Sequence, residues 1–360
     1  AVITALQEGE GRATRILLLQ QEGDRRRFLE LPPGGAYRPA LATSGDGRRM
    51  AVVWNEVSGA EWAVRAADVN PDGFTPGSIE TVYTSRALCL PPSAVFCDGR
   101  LHVAWAARTG GRFRIHTARK EPGGWQVQLL DGGGVDCFRP RLAALGGRLL
   151  CAWDRYRAPD YRIGLSVFNG SDWRTAADLG QEGERWLCPR MIAGEHAAYL
   201  TWLIVQDVID DLGVVDHAVY APVVQFDGRE IRWLLDEGHP ADPRAVADLR
   251  EGLLAGRIYK GHVGLRRHPQ LALQPDETLW CCWESREESP DSAVTARLAG
   301  RCYRDGCWTD PRILADGGYA WSVAGQAGEE ALPVSCLRFT EADRDIVQAE
   351  WAPLNGTAAP

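Results

Sequence analysis

Residues 138–157 read FRPRLAALGGRLLCAWDRYR. A short apolar run opened by Arg139-Pro140 leads to the pair Gly146-Gly147, and a second apolar run then ends at Trp153. The polar cluster Asp154-Arg155-Tyr156-Arg157 follows at once. Short apolar runs punctuated by glycine predict two strands joined by a tight turn. The same order recurs in YRPALATSGDGRRMAVVWNE (37–56), LPPSAVFCDGRLHVAWAAR (90–108), CPRMIAGEHAAYLTWLIVQD (188–207) and RHPQLALQPDETLWCCWESR (267–286). A recurring unit of this length decides the architecture before any single residue is weighed.

The tryptophan closing each second run falls at 54, 105, 153, 202 and 283, in steps of 51, 48, 49 and 81 residues. Third and fourth runs follow each tryptophan. The turn between them ends in Trp in PGGW (122–125), GSDW (170–173) and DGCW (305–308). Each unit is therefore four strands, and units of roughly 40–50 residues repeated radially are β-propeller blades. Blades bury both faces against their neighbours, which accounts for continuous apolar runs such as MAVVW and LLCAW. The N-terminal segment aligns with residues 102–134 and supplies strands two to four of a blade. The C-terminal runs WSVAGQ, ALPVSCLRF and DIVQAEW supply strands one to three. The expectation is an all-β chain, a single β-propeller domain over 1–360. It has seven four-stranded blades, or six if the two chain ends share one.

The long step holds an insertion, residues 239–265. Asp242 suits an N-cap, Pro243 the first helical position and Gly256 a terminator. Ala245, Leu249, Leu253 and Leu254 make one apolar face. This predicts one short helix near 242–256, carried on the channel-mouth face. A smaller insertion, VQDVIDDLGVVD (205–216), follows Trp202. Its Asp207, Asp210, Asp211 and Asp216 offer oxygen ligands for calcium, but not at EF-hand spacing. A solvated acidic loop is the plainer reading, and no cofactor is expected.

The hydrophobic share of 45% supports a sizeable core in a 360-residue chain. The formal charge of −8 argues against a nucleic-acid partner, which asks for a basic face. No apolar run approaches the ~20 residues of a membrane span, so no membrane partner is expected. The opening AVITALQEGEGRATR lacks the layout of an export signal. Of the ten cysteines, Cys151, Cys281 and Cys282 fall in predicted strands as buried thiols. Cys302 and Cys307 could face each other across the turn YRDG as a disulfide.

Propeller strands alternate in direction, so the start of strand one and the end of strand two of every blade share one rim. Tyr37, Arg38, Asn55 and Glu56 belong there, as do Arg108, Arg139, Asp154, Arg155 and Tyr156. So do Trp186, Arg190, Arg267, His268, Glu284 and Arg286, and the insertion adds Tyr259, Lys260 and His262. Arginine presents a planar fork suited to carboxylate or sulfate. Tyrosine and tryptophan can stack on sugar rings. Paired carboxylates can cleave a glycosidic bond as acid and base or nucleophile. The catalytic candidates are His268, Glu56, Asp154, Glu284 and Tyr156. The substrate-binding candidates are Tyr37, Arg38, Arg139, Arg155, Trp186, Arg190, Arg267, Arg286, Tyr259 and His262. The bland alternative is that loop ends are polar anyway and that these charges pair with one another.

The R-P…G-x-L…A-W pattern, as in Arg139-Pro140, Gly147-Arg148-Leu149 and Ala152-Trp153, resembles the blades of the sialidase-like, or BNR-type, propellers. The resemblance is architectural and covers most of the chain. The S-x-D-x-G-x-x-W signature of that group is absent; Ser44-Gly45-Asp46-Gly47 does not fit it. The group includes sialidases, other glycoside hydrolases and polysaccharide lyases acting on uronic-acid sugars. The resemblance implies an enzyme that cleaves an acidic glycan, with Arg38, Arg139 and Arg267 as the arginines that bind the acidic group. The alternative is a non-catalytic module that binds glycan or protein. A glycan partner implies an extracellular or periplasmic location, with the cytoplasm as the alternative.

Overall fold

The computed structural model describes residues 2–8, 14–22, 25–31, 35–130, 134–210, 213–220, 222–234, 267–288, 294–315, 319–323, 331–339 and 345–353. Among them every regular element is a β-strand, and the chain divides into two compact units, Ala1–Leu179 and Gly180–Pro360. The helix expected near 242–256 lies outside the described residues.

The first unit opens with a three-stranded antiparallel sheet of β1 (Val2–Glu8), β2 (Arg15–Glu22) and β3 (Arg25–Glu30). A four-stranded sheet follows: β4 (Ala36–Thr43), β5 (Met50–Ser58), β6 (Glu61–Asn70) and β7 (Thr75–Ser85). The next holds β8 (Ser93–Cys97), β9 (Arg100–Thr109), β10 (Arg112–Glu121) and β11 (Gly124–Leu130). The last pairs β12 (Asp136–Leu145), β13 (Arg148–Arg157), β14 (Asp160–Phe168) and β15 (Trp173–Leu179) in sequence order. Two-residue hairpins of type I′ need positive φ at both central positions. Gly146-Gly147 (φ 52° and 75°) and Asp98-Gly99 (48° and 71°) supply it.

The second unit runs through β16 (Arg185–Ala193), β17 (Ala198–Asp210), β18 (Gly213–Tyr220), β19 (Val223–Phe226) and β20 (Ile231–Trp233). Then come β21 (Arg267–Leu273), β22 (Leu279–Glu288), β23 (Val294–Arg304), β24 (Cys307–Trp308) and β25 (Arg312–Ala315). A three-stranded sheet of β26 (Tyr319–Val323), β27 (Ala331–Phe339) and β28 (Asp345–Pro353) ends it. The acidic insertion is not a plain loop. It lengthens β17 and β18 into a hairpin in which Asp207 lies opposite His217 and Val208 opposite Asp216. Asp211 lies outside the described residues. Valines and isoleucines on both sides favour strand over loop here. Cys302 and Cys307 are both free thiols. The hairpin register sets Cys307 opposite Arg304, while Cys302 bonds to Thr309 through its N–H at 3.1 Å, so the two cysteines do not face each other.

The repeating tryptophan is core. Trp54, Trp105 and Trp202 are at most 1% exposed, and Trp153 and Trp283 are also buried. The other repeated tryptophan, after the outer turn, ties sheet to sheet. Trp125 Nε1 donates to Glu80 at 2.9 Å and Trp173 Nε1 to Thr117 at 3.2 Å, each in the preceding sheet of the first unit. In the second unit Trp308 Nε1 donates to the Leu234 carbonyl at 2.8 Å.

A second tie was not legible in the sequence. Arg27 donates to the Gly73 carbonyl and lies over the Phe74 ring. Arg49 does the same to Gly99 and Phe96, and Arg119 to Gly170 and Phe168. Each arginine thus clamps an aromatic ring and a turn carbonyl of the next sheet, through a cation–π contact and a charge-assisted bond.

Gly164 faces Trp153 across β13 and β14. A Cβ there would stand 2.7 Å from two carbons of the indole, which cannot retreat from a packed core. Gly164→Ala should therefore cost ~1–3 kcal/mol, measurable as a lower urea midpoint. An unchanged midpoint would show that the ring can shift.

Candidate functional site

In three of the sheets, the start of strand one pairs directly with the part of strand two just past its tryptophan. Tyr37 faces Asn55 and Ala36 faces Glu56. Phe138 faces Asp154, Cys137 faces Arg155 and Asp136 faces Tyr156. In the second unit Arg267 faces Glu284.

A β-bulge sits at this point in each first strand that pairs through a prolyl dipeptide. It falls between Tyr37 and Ala40, Phe138 and Arg141, Leu187 and Arg190, and Arg267 and Gln270. Proline cannot donate to a ladder, so the chain bulges around it. The residue before the proline turns left-handed at three of these bulges: Arg38 (φ 49°), Arg139 (φ 49°) and Cys188 (φ 57°). Such a conformation in a non-glycine residue costs about 1–3 kcal/mol. It recurs because the bulge re-aims that side chain.

In the first unit, Arg139 is the best-held residue of the set. Its Nε donates to Asp154 Oδ1 at 3.0 Å and its Nη2 to Oδ2, a two-point pair. Asp154 is 0% exposed while the Arg139 side chain remains 39% exposed. Burial pushes the Asp154 carboxyl up to about 6, against the opposing pull of Arg139. Asp154 is thus an anchor for the guanidinium, covered on every side. Glu56 is taken up as well. Arg65, which the sequence reading missed, donates to its Oε1 from Nη2 at 2.8 Å and from Nε at 3.2 Å. Arg155 pairs with Asp178, another missed partner. Asn55 is buried, and its Nδ2 donates to the Cys89 carbonyl at 2.9 Å, joining two sheets. Arg38 and Arg108 are exposed.

Aromatic rings complete this end of the unit. Tyr37 lies 6.5 Å from Trp62, and Phe138 lies 6.5 Å from Tyr161. Tyr156 packs on Tyr161 at 4.7 Å and Phe113 on Phe138 at 5.3 Å. All six rings are half-buried. Only Tyr37 and Tyr156 were named from the sequence. Trp62, Phe113 and Tyr161 begin third strands, and their shared position shows only once the register is known.

In the second unit, Trp186 is inside rather than on a rim. It is 6% exposed, stacks on Trp202 at 5.1 Å and donates from Nε1 to Glu184 at 2.6 Å. Arg190 is half-buried beside its bulge. For Arg267, His268, Glu284 and Arg286 the strands β21 and β22 fix the backbone, and their side chains lie outside the described residues. Tyr259, Lys260 and His262 lie outside them entirely. Among the described residues no group of three or more His, Cys, Asp or Glu is placed to hold a metal ion.

No family model matches the chain, and no curated protein matches its sequence. Solved structures do match. The polysaccharide lyase Uly1 aligns at a TM-score of 0.60 and 10% identity, covering 98% of this chain and 88% of that one. The Trypanosoma rangeli sialidase in complex with the inhibitor DANA aligns at 0.50 and 8% identity. That alignment covers 91% of this chain and 56% of the sialidase. A subtype N11 neuraminidase-like protein of a flat-faced bat isolate aligns at 0.50 and 11%, covering 90% and 89%. At such identities the likeness is one of fold, and in fold this chain is similar to the sialidase-like β-propellers.

Proposed function

We propose that the chain is a carbohydrate-active propeller enzyme of seven four-stranded blades that cleaves an acidic glycan as a polysaccharide lyase. The observation that carries this choice is the state of the carboxylates. A glycoside hydrolase needs two carboxyl groups flanking the bond, ~5–10 Å apart and open to substrate. Among the described candidates, Glu56 is engaged by Arg65 and Asp154 is fully covered by its pair with Arg139. A lyase does not need them open. It needs a cation at the uronate carboxylate, to stabilise charge at the α-carbon, and a base for the C5 proton. Arg139 supplies the cation, and Tyr156, whose ring lies against Tyr161, is our candidate base. In the step proposed, Tyr156 acting as base takes the C5 proton, and the freed electron pair is delocalised into the uronate carboxylate beside Arg139. As that pair moves in to form the C4–C5 double bond the C4–O bond breaks, and the departing oxygen takes the proton back from the tyrosine. The fold likeness to a polysaccharide lyase over 98% of the chain supports the same reading.

A second reading is favoured by the same ion pairs: a propeller that binds acidic glycan without turning it over. A panel of uronate and sialic-acid glycans separates the outcomes. The lyase reading expects an unsaturated, ultraviolet-absorbing product from a uronate glycan. New reducing ends without that absorbance would indicate hydrolysis and overturn it. Binding with neither signal would establish the non-catalytic module.

A further inference from the structure

The first unit carries one constellation twice. The sequence aromatic-Arg-Pro occurs at Tyr37-Arg38-Pro39 and at Phe138-Arg139-Pro140. Both arginines have the left-handed φ of 49°. Both leading rings lie 6.5 Å from an aromatic at the start of the third strand, with ring planes tilted by 36° for Tyr37–Trp62 and 43° for Phe138–Tyr161. Arg139 also stands over the Phe138 ring, 5.8 Å from its centre.

The propeller scaffold does not itself require these rings. Their third-strand position is the one opposite the residue three past the core tryptophan. In the first unit it holds Trp62 opposite Val57, Phe113 opposite Arg108, and Tyr161 opposite Tyr156. In the second unit the same position holds Val219 opposite Val205, and Ala296 opposite Arg286. There the residue before the bulge is Leu187 or Arg267 rather than an aromatic. Among the described residues, the leading aromatic and the left-handed arginine occur together at these two bulges, while the third-strand aromatic also occurs without them at Phe113.

We propose that Tyr37–Trp62 with Arg38, and Phe138–Tyr161 with Arg139, are two copies of one subsite, each taking the ring of an acidic pyranose. The C–H face of a pyranose is apolar enough to lose water favourably against an aromatic ring. The ring's carboxylate is drawn by the positive charge of the arginine; Arg139 already gives its Nε and Nη2 to Asp154 and so meets the ligand as a charge rather than as a fork. Half-buried rings suit this, because they are fixed in place and still present surface. The inference rests on the glycan reading above and deepens it: the ligand is a polymer with acidic groups on more than one residue.

Isothermal titration of the full chain with galacturonate, mannuronate and glucuronate oligosaccharides of graded length tests it, with cello-oligosaccharides as neutral controls. At least one uronate series should bind, and the neutral series should not. Trp62→Leu and Tyr161→Leu should each raise Kd ~10-fold, about 1.4 kcal/mol, at melting temperatures near that of the wild type. Trp62→Phe and Tyr161→Phe, which keep a ring, should stay within about twofold. Leucine variants that fold and bind as tightly as wild type would overturn the subsites while leaving the glycan reading in place. Equal losses from phenylalanine and leucine would also overturn them. Absence of uronate binding by the wild type would remove the glycan reading itself. Should the leucine variants misfold, the fluorescence change of Trp62 at saturating uronate, taken as wild type minus Trp62→Phe, decides: a change supports stacking and none refutes it.

Discussion

Replacing Trp105 by alanine should lower the free energy of unfolding by ~3–5 kcal/mol, the cost of deleting a large buried ring and leaving the gap. Trp105 is 0% exposed in the centre of β9. It stacks on His116 at 5.6 Å with planes 14° apart, and packs on Tyr83 at 5.1 Å. Val53, Val64, Val103 and Ala118, from two neighbouring sheets, belong to the same core cluster. These neighbours sit on strands pinned by their own ladders, so the site cannot collapse to fill the space. Among the described residues the indole N–H has no acceptor within hydrogen-bonding distance. Trp105→Phe should therefore cost clearly less, since no hydrogen bond is lost and most of the ring volume stays. Urea unfolding of both variants checks the order. Equal losses would point to an unrecognised bond at the indole nitrogen, and a loss under ~1 kcal/mol for alanine would mean that the sheets close over the gap.

Much of this was legible because it follows from local chemistry that repeats. A tryptophan closing an apolar run, at steps of 51, 48 and 49 residues and then 81 across the insertion, marks a core position in a repeating unit, and the structure buries all five. Gly146-Gly147 read as a hairpin turn because only such residues take positive φ at two successive positions without strain. The three-stranded character of both chain ends was also visible as three apolar runs each.

What could not be read depends on register. Arg65 reaches Glu56, and Asp178 reaches Arg155, only because particular strands slide to particular offsets. A one-residue slip would send every side chain to the other face. The arginine clamps span 46, 50 and 51 residues, about one repeat. A sequence reading that lines up equivalent residues compares Arg49 with other first turns and never with Phe96. Trp186 shows the same limit. Its place before a strand-one proline suggested the rim, but side chains alternate, and this one points into the sheet against Trp202. The recurring Arg-Pro marks the repeat in the sequence. Its physical content, a bulge that turns the arginine left-handed, needed the ladder.

Arg139→Leu should be the most damaging change at the candidate site, destabilising the chain by ~3–5 kcal/mol at neutral pH because it strands a buried carboxylate. Asp154 is 0% exposed, and Arg139 holds both of its oxygens. The effect should depend on pH with a definite sign. In the wild type the folded-state pKa of Asp154 is raised to about 6 from an ordinary 3.8, with burial as the main cause. The folded protein then binds this proton more tightly than the unfolded chain does. The group's favourable contribution is complete below about pH 4 and is lost as pH rises through about 6. Without Arg139 the carboxyl has nothing to oppose burial, so its pKa rises further and the loss extends to higher pH. Arg139→Leu should therefore be least damaging in acid and most damaging near neutrality. Adding Asp154→Leu should recover most of the stability, since an apolar pair of similar volume is often neutral in place of a buried ion pair. Unfolding free energies of the two variants and wild type across pH 4–8 check this. A penalty for Arg139→Leu that stays flat with pH, or that the second substitution does not relieve, would mean that Asp154 is hydrated or paired elsewhere. The double variant would then carry the functional test without confusion from folding: stable, but with neither the left-handed guanidinium nor its anchor. Uronate affinity should fall in it, because the charge removed is the one that recognises the acid group.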